Sequence, residues 1–170
     1  MMQFAAESPG RWRRGEVMLP VGPLHLVWTG RTVVTSSFAQ LPPLLFGRQP
    51  ERAPVPPWLE ALALLALTEG LDAARWRVLD PGLTPLQQAA LRAAACIPAG
   101  HCASYGEIAQ AIGRPRAARA VGLAMSRSPA DLLIPTHRVV RHSGQPAESQ
   151  RGGMGERLRR WEACRLSIPH

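Results

Sequence analysis

Short strand-like apolar stretches open the chain, from Val17 to Pro20 and from Leu24 to Trp28, and Thr32 to Ser36 adds a β-branched run. Gly22-Pro23 and Thr29-Gly30 punctuate them, which predicts a small antiparallel meander. Residues 1–16 are polar and Arg-rich and read as a loose arm. The prolines of residues 47–57 require an extended connection. An apolar stretch over residues 58–70 predicts a buried helix ending at Gly70, and Arg75 to Leu79 predicts one more strand. Asp80-Pro81-Gly82 is a turn. The pattern changes there, so the chain is expected to divide near residue 82.

Helical spacing dominates the remainder. Thr84-Pro85 is a helix start, an N-cap hydroxyl followed by proline at the first helical position. The apolar stripe runs through Leu86, Ala89, Ala90, Leu91 and Ala94 and stops before Pro98. Ser104 with Glu107 three residues later predicts a capping box, with Ile108, Ala109 and Ile112 as the apolar face and Gly113 as the stop. A second helix is expected from Arg116 to about Arg127, packing through Ala120, Val121 and Ala124. The pair is a helix-turn-helix candidate with Arg114, Arg116 and Arg119 at its turn. Spacing alone equally fits an ordinary helical hairpin with solvated arginines. Leu132-Leu133-Ile134 reads as a short strand leading into Pro135-Thr136-His137-Arg138-Val139-Val140. A last helix over about 154–166 places Met154, Leu158, Trp161 and Leu166 on one side. Glu162 falls on that same face, and an inward carboxylate needs a partner, either arginine or the histidine of Thr136-His137.

All 20 basic residues are arginine, and the chain has neither lysine nor asparagine. Charge is uneven: residues 1–83 hold 8 arginines and 7 acids, residues 84–170 hold 12 arginines and 5 acids. That excess points to a polyanionic partner, nucleic acid first. The densest apolar run, Trp58 to Leu67, contains Glu60 and is about half the length of a membrane span. No secretory signal is visible, and Cys96, Cys102 and Cys164 form neither a disulfide framework nor a CxxC pair. Cys96, at the end of an apolar helix, reads as core. The chain reads as a soluble, cytoplasmic bacterial protein, with no metal and no cofactor expected.

From Thr84 to about Leu166 the residues resemble the O(6)-alkylguanine-DNA alkyltransferase family. The resemblance rests on Thr84-Pro-Leu-Gln-Gln88, Ile97-Pro-Ala-Gly100, Ser104-Tyr-Gly-Glu-Ile-Ala109, Arg119-Ala-Val-Gly122 and Ile134-Pro-Thr-His-Arg-Val-Val140, five blocks in order. Residues 17–80 resemble the family's smaller N-terminal domain only weakly. The resemblance implies an α+β protein. Its residues 1–82 would be a structural α/β domain with an antiparallel sheet, and residues 83–170 a mostly helical DNA-binding domain. It implies that the second helix of the helix-turn-helix enters the minor groove, that Arg119 fills the gap left by a flipped base, and that Tyr105 crowds the 3′ phosphate. Tyr105, Pro135, Thr136, His137, Val139 and Glu162 would form the lesion pocket. Tyr105, Gly106, Arg114, Arg116, Arg119 and Ser128 would face DNA, with Ser128 where the family usually has an asparagine that braces the turn. Arg138 reads as a brace of the fold. The segment between Gly144 and Gly152 lacks the Gly-Tyr usual in the family, which implies a wider pocket.

The family's motif is Pro-Cys-His-Arg, and here it reads Pro135-Thr136-His137-Arg138. In the family the cysteine accepts the alkyl group, the histidine is its base and the glutamate orients the histidine. A threonine hydroxyl is far less acidic than a thiol and needs a base acting in the transition state. The chain is therefore expected not to be an enzyme, with His137 and Glu162 as remnants. It resembles the alkyltransferase-like proteins, which bind alkylated guanine, leave the alkyl group in place and recruit nucleotide excision repair. The expectation is a nucleoid-associated monomer on duplex DNA carrying alkylated guanine. One alternative is slow removal of the alkyl group by Thr136 or a water on His137. Another is a general DNA-binding module with a degenerate pocket.

Overall fold

The computed structural model describes residues 2–5, 10–69, 71, 77–141 and 153–166. The expected meander is present as β2 (Arg13–Leu19), β3 (Gly22–Thr29) and β4 (Thr32–Ser37), each antiparallel to the next. Its two turns fall at Gly22 and Gly30, both at positive φ. Leu24, Leu26 and Trp28 of β3 bury one face of the sheet, and Val27 buries the other with Val34 and Trp12. Leu24 and Leu26 are fully buried, each contributing roughly 2 kcal/mol.

The N-terminal arm is a correction. β1 (Gln3–Ala5) pairs in parallel with β6 (Arg77–Leu79), and β2 starts at Arg13. Three residues carry no readable period, and the partner lies some 74 positions away, so local pattern holds no trace of the strand. Trp12 and Met2 are core residues at the ends of this stretch. β5 (Glu51–Arg52) pairs in parallel with β2, completing the order β1-β6-β4-β3-β2-β5 among the described residues. α1 (Pro57–Thr68) buries Leu59, Ala63, Ala66 and Leu67 in the core that the sheet shares.

Asp80 makes the expected turn, its Oδ1 accepting from the amides of Gly82 and Leu83. α2 (Pro85–Ala95) starts at Thr84 with a capping box completed by Gln87. α3 (Tyr105–Ala111) carries the predicted Ser104–Glu107 box. Gly113, at φ 68°, closes α3 while the Arg114 amide donates to the Ala109 carbonyl, a Schellman arrangement. α4 (Ala118–Ser126) begins two residues later than expected, because residues 114–117 are spent on the turn. α3 and α4 pack on α2, and α5 (Met154–Leu166) closes the helical side.

Two further expectations fail. Leu132-Leu133-Ile134 is a buried turn with Leu132 at φ 65°, flanked by isolated bridges at Ala130, Asp131 and Ile134. A buried turn and a buried strand both read as an unbroken apolar run, so periodicity cannot separate them. Cys96 is exposed, because it caps the C-terminus of α2, past the buried face formed by Leu91, Ala94 and Ala95.

The sheet grips the segment that leads into Pro135-Thr136-His137-Arg138. Thr35 Oγ1 donates to the Pro129 carbonyl at 2.7 Å, and Ser36 Oγ to the Asp131 carbonyl at 2.7 Å. Ser37 Oγ donates to Asp131 Oδ2 at 3.0 Å. No helix among the described residues is long and apolar enough to cross a membrane.

Candidate functional site

Residues Thr136–Arg138 form a single 3-10 turn, followed by β8 (Val139–Val140). β8 pairs in parallel with β7 (Ala103–Ser104), Ala103 opposite Val139 and Ser104 opposite Val140. Tyr105 follows β7 directly as the first residue of α3. This ladder of two residues brings the start of α3 against the Thr136–Val139 segment. The Tyr105 ring lies half-buried beside α4, close enough that a Cβ on Gly122 would meet it at 3.8 Å. Burial raises the Tyr105 phenol, with Arg141 opposing, so the phenol is protonated at neutral pH.

Below the turn sits a buried acid–base cluster. Leu158 and Glu162, four residues apart on α5, are both buried on one helical face. Glu162 Oε1 is 2.9 Å from His137 Nε2 and 2.8 Å from Arg138 Nη2. Its Oε2 accepts from the Gly100 amide at 3.0 Å. Arg138 is entirely buried and spends its remaining donors on the carbonyls of Ile97, at 2.7 Å, and Ala66, at 3.1 Å. The sequence left open whether the inward carboxylate pairs with an arginine or with the histidine; it pairs with both. Arg138 braces the fold, as expected.

The electrostatics fix the tautomer. Burial pushes the Glu162 carboxyl up, but the hydrogen bonds from His137 and Arg138, the charge at His137 and the Gly100 amide outweigh it and hold the group at about 2. Burial also pushes His137 below its ordinary value, against the pull of Glu162. At neutral pH the pair is a carboxylate and a neutral imidazole. A carboxylate only accepts, so the proton sits on Nε2 and the Nδ1 lone pair is free to accept. Arg159 Nη1 donates to the His137 carbonyl at 2.7 Å and pins the turn from α5.

Pro135 and Val139 are buried on either side of the half-buried Thr136. Arg114, Arg116 and Arg119 are exposed, the first two in the turn and Arg119 as the second residue of α4. Gly106 is half-buried beside Tyr105. Ser128, expected to face DNA, is instead buried just past α4, because the chain turns inward at Ser128-Pro129 toward the sheet, and among the described residues its hydroxyl has no hydrogen-bond partner. The segment between Gly144 and Gly152, expected to line the pocket, lies outside the described residues. A cleft of about 400 Å³ runs alongside, lined by Cys102, Ser104, Gly106, Val140 and Arg141. Burial raises the Cys102 thiol, with Arg159 and Arg138 opposing and Glu162 adding to the rise. Sequence reasoning gave no role to Gly100, Ile97, Ala66 or Arg159. Gly100 and Ile97 lie in the Ile97-Pro-Ala-Gly100 block, where the signal was present; the Ala66 carbonyl and Arg159 left none.

Comparisons with known proteins converge. The sequence pattern of the 6-O-methylguanine DNA methyltransferase, DNA binding domain, matches residues 85–163. A methylated-DNA–protein-cysteine methyltransferase of Mycobacterium leprae is 37% identical over 129 residues, 74% of this chain and 76% of the relative. The enzyme of the same name from Mycobacterium bovis is 49% identical over 67 residues, 39% of this chain and 41% of the relative. Among solved structures, Mycobacterium tuberculosis O6-methylguanine methyltransferase superposes with a TM-score of 0.72 at 28% identity, covering 93% of this chain and 95% of that one. The Mycobacterium tuberculosis protein in complex with DNA gives 0.70 at 28% identity, covering 92% and 94%. These relatives correct the expectation that the chain is not an enzyme, since they are named as methyltransferases. That expectation rested on the Thr136 side chain alone, whereas the acid–base pair beside it is fully assembled.

Proposed function

Because the chain belongs to the O6-methylguanine DNA methyltransferase family, we propose that it recognises O6-alkylguanine in duplex DNA by rotating the damaged nucleotide into a pocket at Thr136. The observation that carries this reading is the buried His137–Glu162–Arg138 cluster, tied through β7 and β8 to Tyr105 at the head of the helix-turn-helix. In this reading α4 enters the minor groove, where sequence information is poor and lesion search is nearly sequence-independent. Arg119, exposed on the first turn of α4, takes the place of the rotated base. Tyr105 crowds the phosphate on its 3′ side, and Arg114 and Arg116 hold phosphates with the Gly106 backbone close by. Pro135, Thr136 and Val139 wall the pocket.

Unstacking a base costs a few kcal/mol, which the arginine finger and the pocket contacts offset. The neutral His137, held by Glu162, offers its Nδ1 lone pair to a hydrogen-bond donor or water at the base. Thr136 is the feature by which the chain resembles the alkyltransferase-like members of the family. That resemblance extends the proposal to nucleotide excision repair proteins as partners of the bound complex. Residues 83–170 carry DNA binding, and residues 1–82 are the structural part.

Base rotation is read directly by placing 2-aminopurine opposite an O(6)-methylguanine in a duplex. Its fluorescence should rise on binding as stacking is lost, and the rise should shrink in Arg119→Ala. Binding with no fluorescence change would contradict rotation.

A further inference from the structure

A second basic site forms far from the helix-turn-helix in sequence. A cleft of about 480 Å³ opens between the start of β2, the turn joining β3 to β4, and the first turn of α1. Arg11, Arg13, Trp28, Gly30, Pro56 and Trp58 line it. Arg31, next to Gly30, lays its guanidinium over the Trp58 ring at 5.3 Å. Arg11, Arg13 and Arg31 are exposed, and Trp58 is half-buried.

Among the described residues no acid lines this cleft. Arg11 has one long ion pair, 3.8 Å to the exposed Glu51, which solvent weakens. Among the described residues neither Arg13 nor Arg31 has an acidic partner. The placement has a structural cause. Trp12, just before β2, packs in the second core while Arg13, the first residue of β2, lines the cleft, and a Cβ on Gly15 would come within 2.8 Å of the Val55 side chain. The strand is thus pressed close against the chain entering α1, and Arg13 is held at the cleft. Residues 1–83 are nearly neutral overall, so the three guanidinium groups are a product of folding rather than of composition.

Unpaired guanidinium groups around an indole make a site for a phosphate whose attached base or sugar meets an aromatic edge. We infer that this cleft is a second nucleic-acid contact, holding the phosphodiester backbone of a DNA segment beyond the one α4 engages. The inference rests on the proposal that the protein binds DNA through α4, and it lengthens the footprint of that complex. The phosphate could equally belong to a free nucleotide, and the experiment separates the two sources.

The test is anisotropy of the full chain on labelled duplexes of about one and about three helical turns, over a salt series. The variants are Arg13→Ala/Arg31→Ala and, separately, Arg119→Ala, each checked for an unchanged melting transition. The cleft variant should bind the long duplex about 5- to 10-fold more weakly, lose about one to two units of salt slope, and leave the short duplex unchanged. Arg119→Ala should weaken both lengths. Equal affinity of wild type and cleft variant on the long duplex overturns the inference. So does saturable quenching of tryptophan fluorescence by inorganic phosphate or a mononucleotide with no dependence on duplex length, which assigns the cleft to a free ligand. An effect of the cleft variant with none from Arg119→Ala would instead sink the α4 reading.

Discussion

Arg138 Nη2 lies 2.8 Å from Glu162 Oε1 in a site where neither side chain reaches solvent. Taking two charges from water is costly, and the pair persists because Glu162 also accepts from His137 Nε2 and the Gly100 amide while Arg138 also donates to the carbonyls of Ile97 and Ala66. Removing one partner leaves the other charge buried and bare. Glu162→Gln should therefore cost about 3–5 kcal/mol in urea unfolding. His137→Ala leaves the Glu162–Arg138 pair intact and should cost less, about 1–3 kcal/mol. A larger loss from His137→Ala would show that the arginine pair is not what holds the turn.

Acid should destabilise the protein over two adjoining pH ranges. The His137 value in the fold lies below its ordinary 6.5, so its contribution is complete above that pH and erodes as pH falls below it. The Glu162 carboxyl stands at about 2 against 4.5, so its contribution is complete above 4.5 and is lost as pH falls toward 2. Both work in one direction. Stability measured by urea titration should decline steadily below pH 6.5, and Glu162→Gln should flatten the part below 4.5. A flat wild-type curve between pH 6.5 and 3 would contradict the assignment.

Ser128 presents a buried hydroxyl with no partner among the described residues, which costs free energy with no return in stability. Ser128→Ala should be neutral or stabilising by about 1 kcal/mol, read as a shift in the urea midpoint. A clear loss of stability would mean the hydroxyl has a partner in solution.

Tyr105 acts by bulk in the proposed rotation, its ring lying beside Gly122 with room for ordinary contact. Tyr105→Phe should change lesion binding little, and Tyr105→Ala should weaken it about 10-fold or more. Equal effects of the two would point to the hydroxyl instead. Arg119→Ala should weaken binding to damaged duplex more than to the same lesion in single-stranded DNA, because gap filling needs a partner base.

Local chemistry made part of this legible. Thr84, Ser104 and Gly113 announce helix ends through their own hydrogen bonds or φ, and the structure places them there. The pairing of Glu162 was foreseeable because α5 has one buried face. β1 was not, since its three residues are strand only through their partner β6. The turn at Leu132 was not, since its burial hides its shape. The basic cleft at Trp58 brings Arg13 and Arg31 together across one strand pair, and nothing in their local spacing marks it.

Recognition of the lesion itself is tested most directly by an anisotropy titration of two otherwise identical duplexes, one carrying a single O(6)-methylguanine, at one physiological salt concentration. The protein should prefer the damaged duplex by about 10-fold or more, and Tyr105→Ala and Arg119→Ala should each lose that preference. Equal affinity for the two duplexes would contradict it.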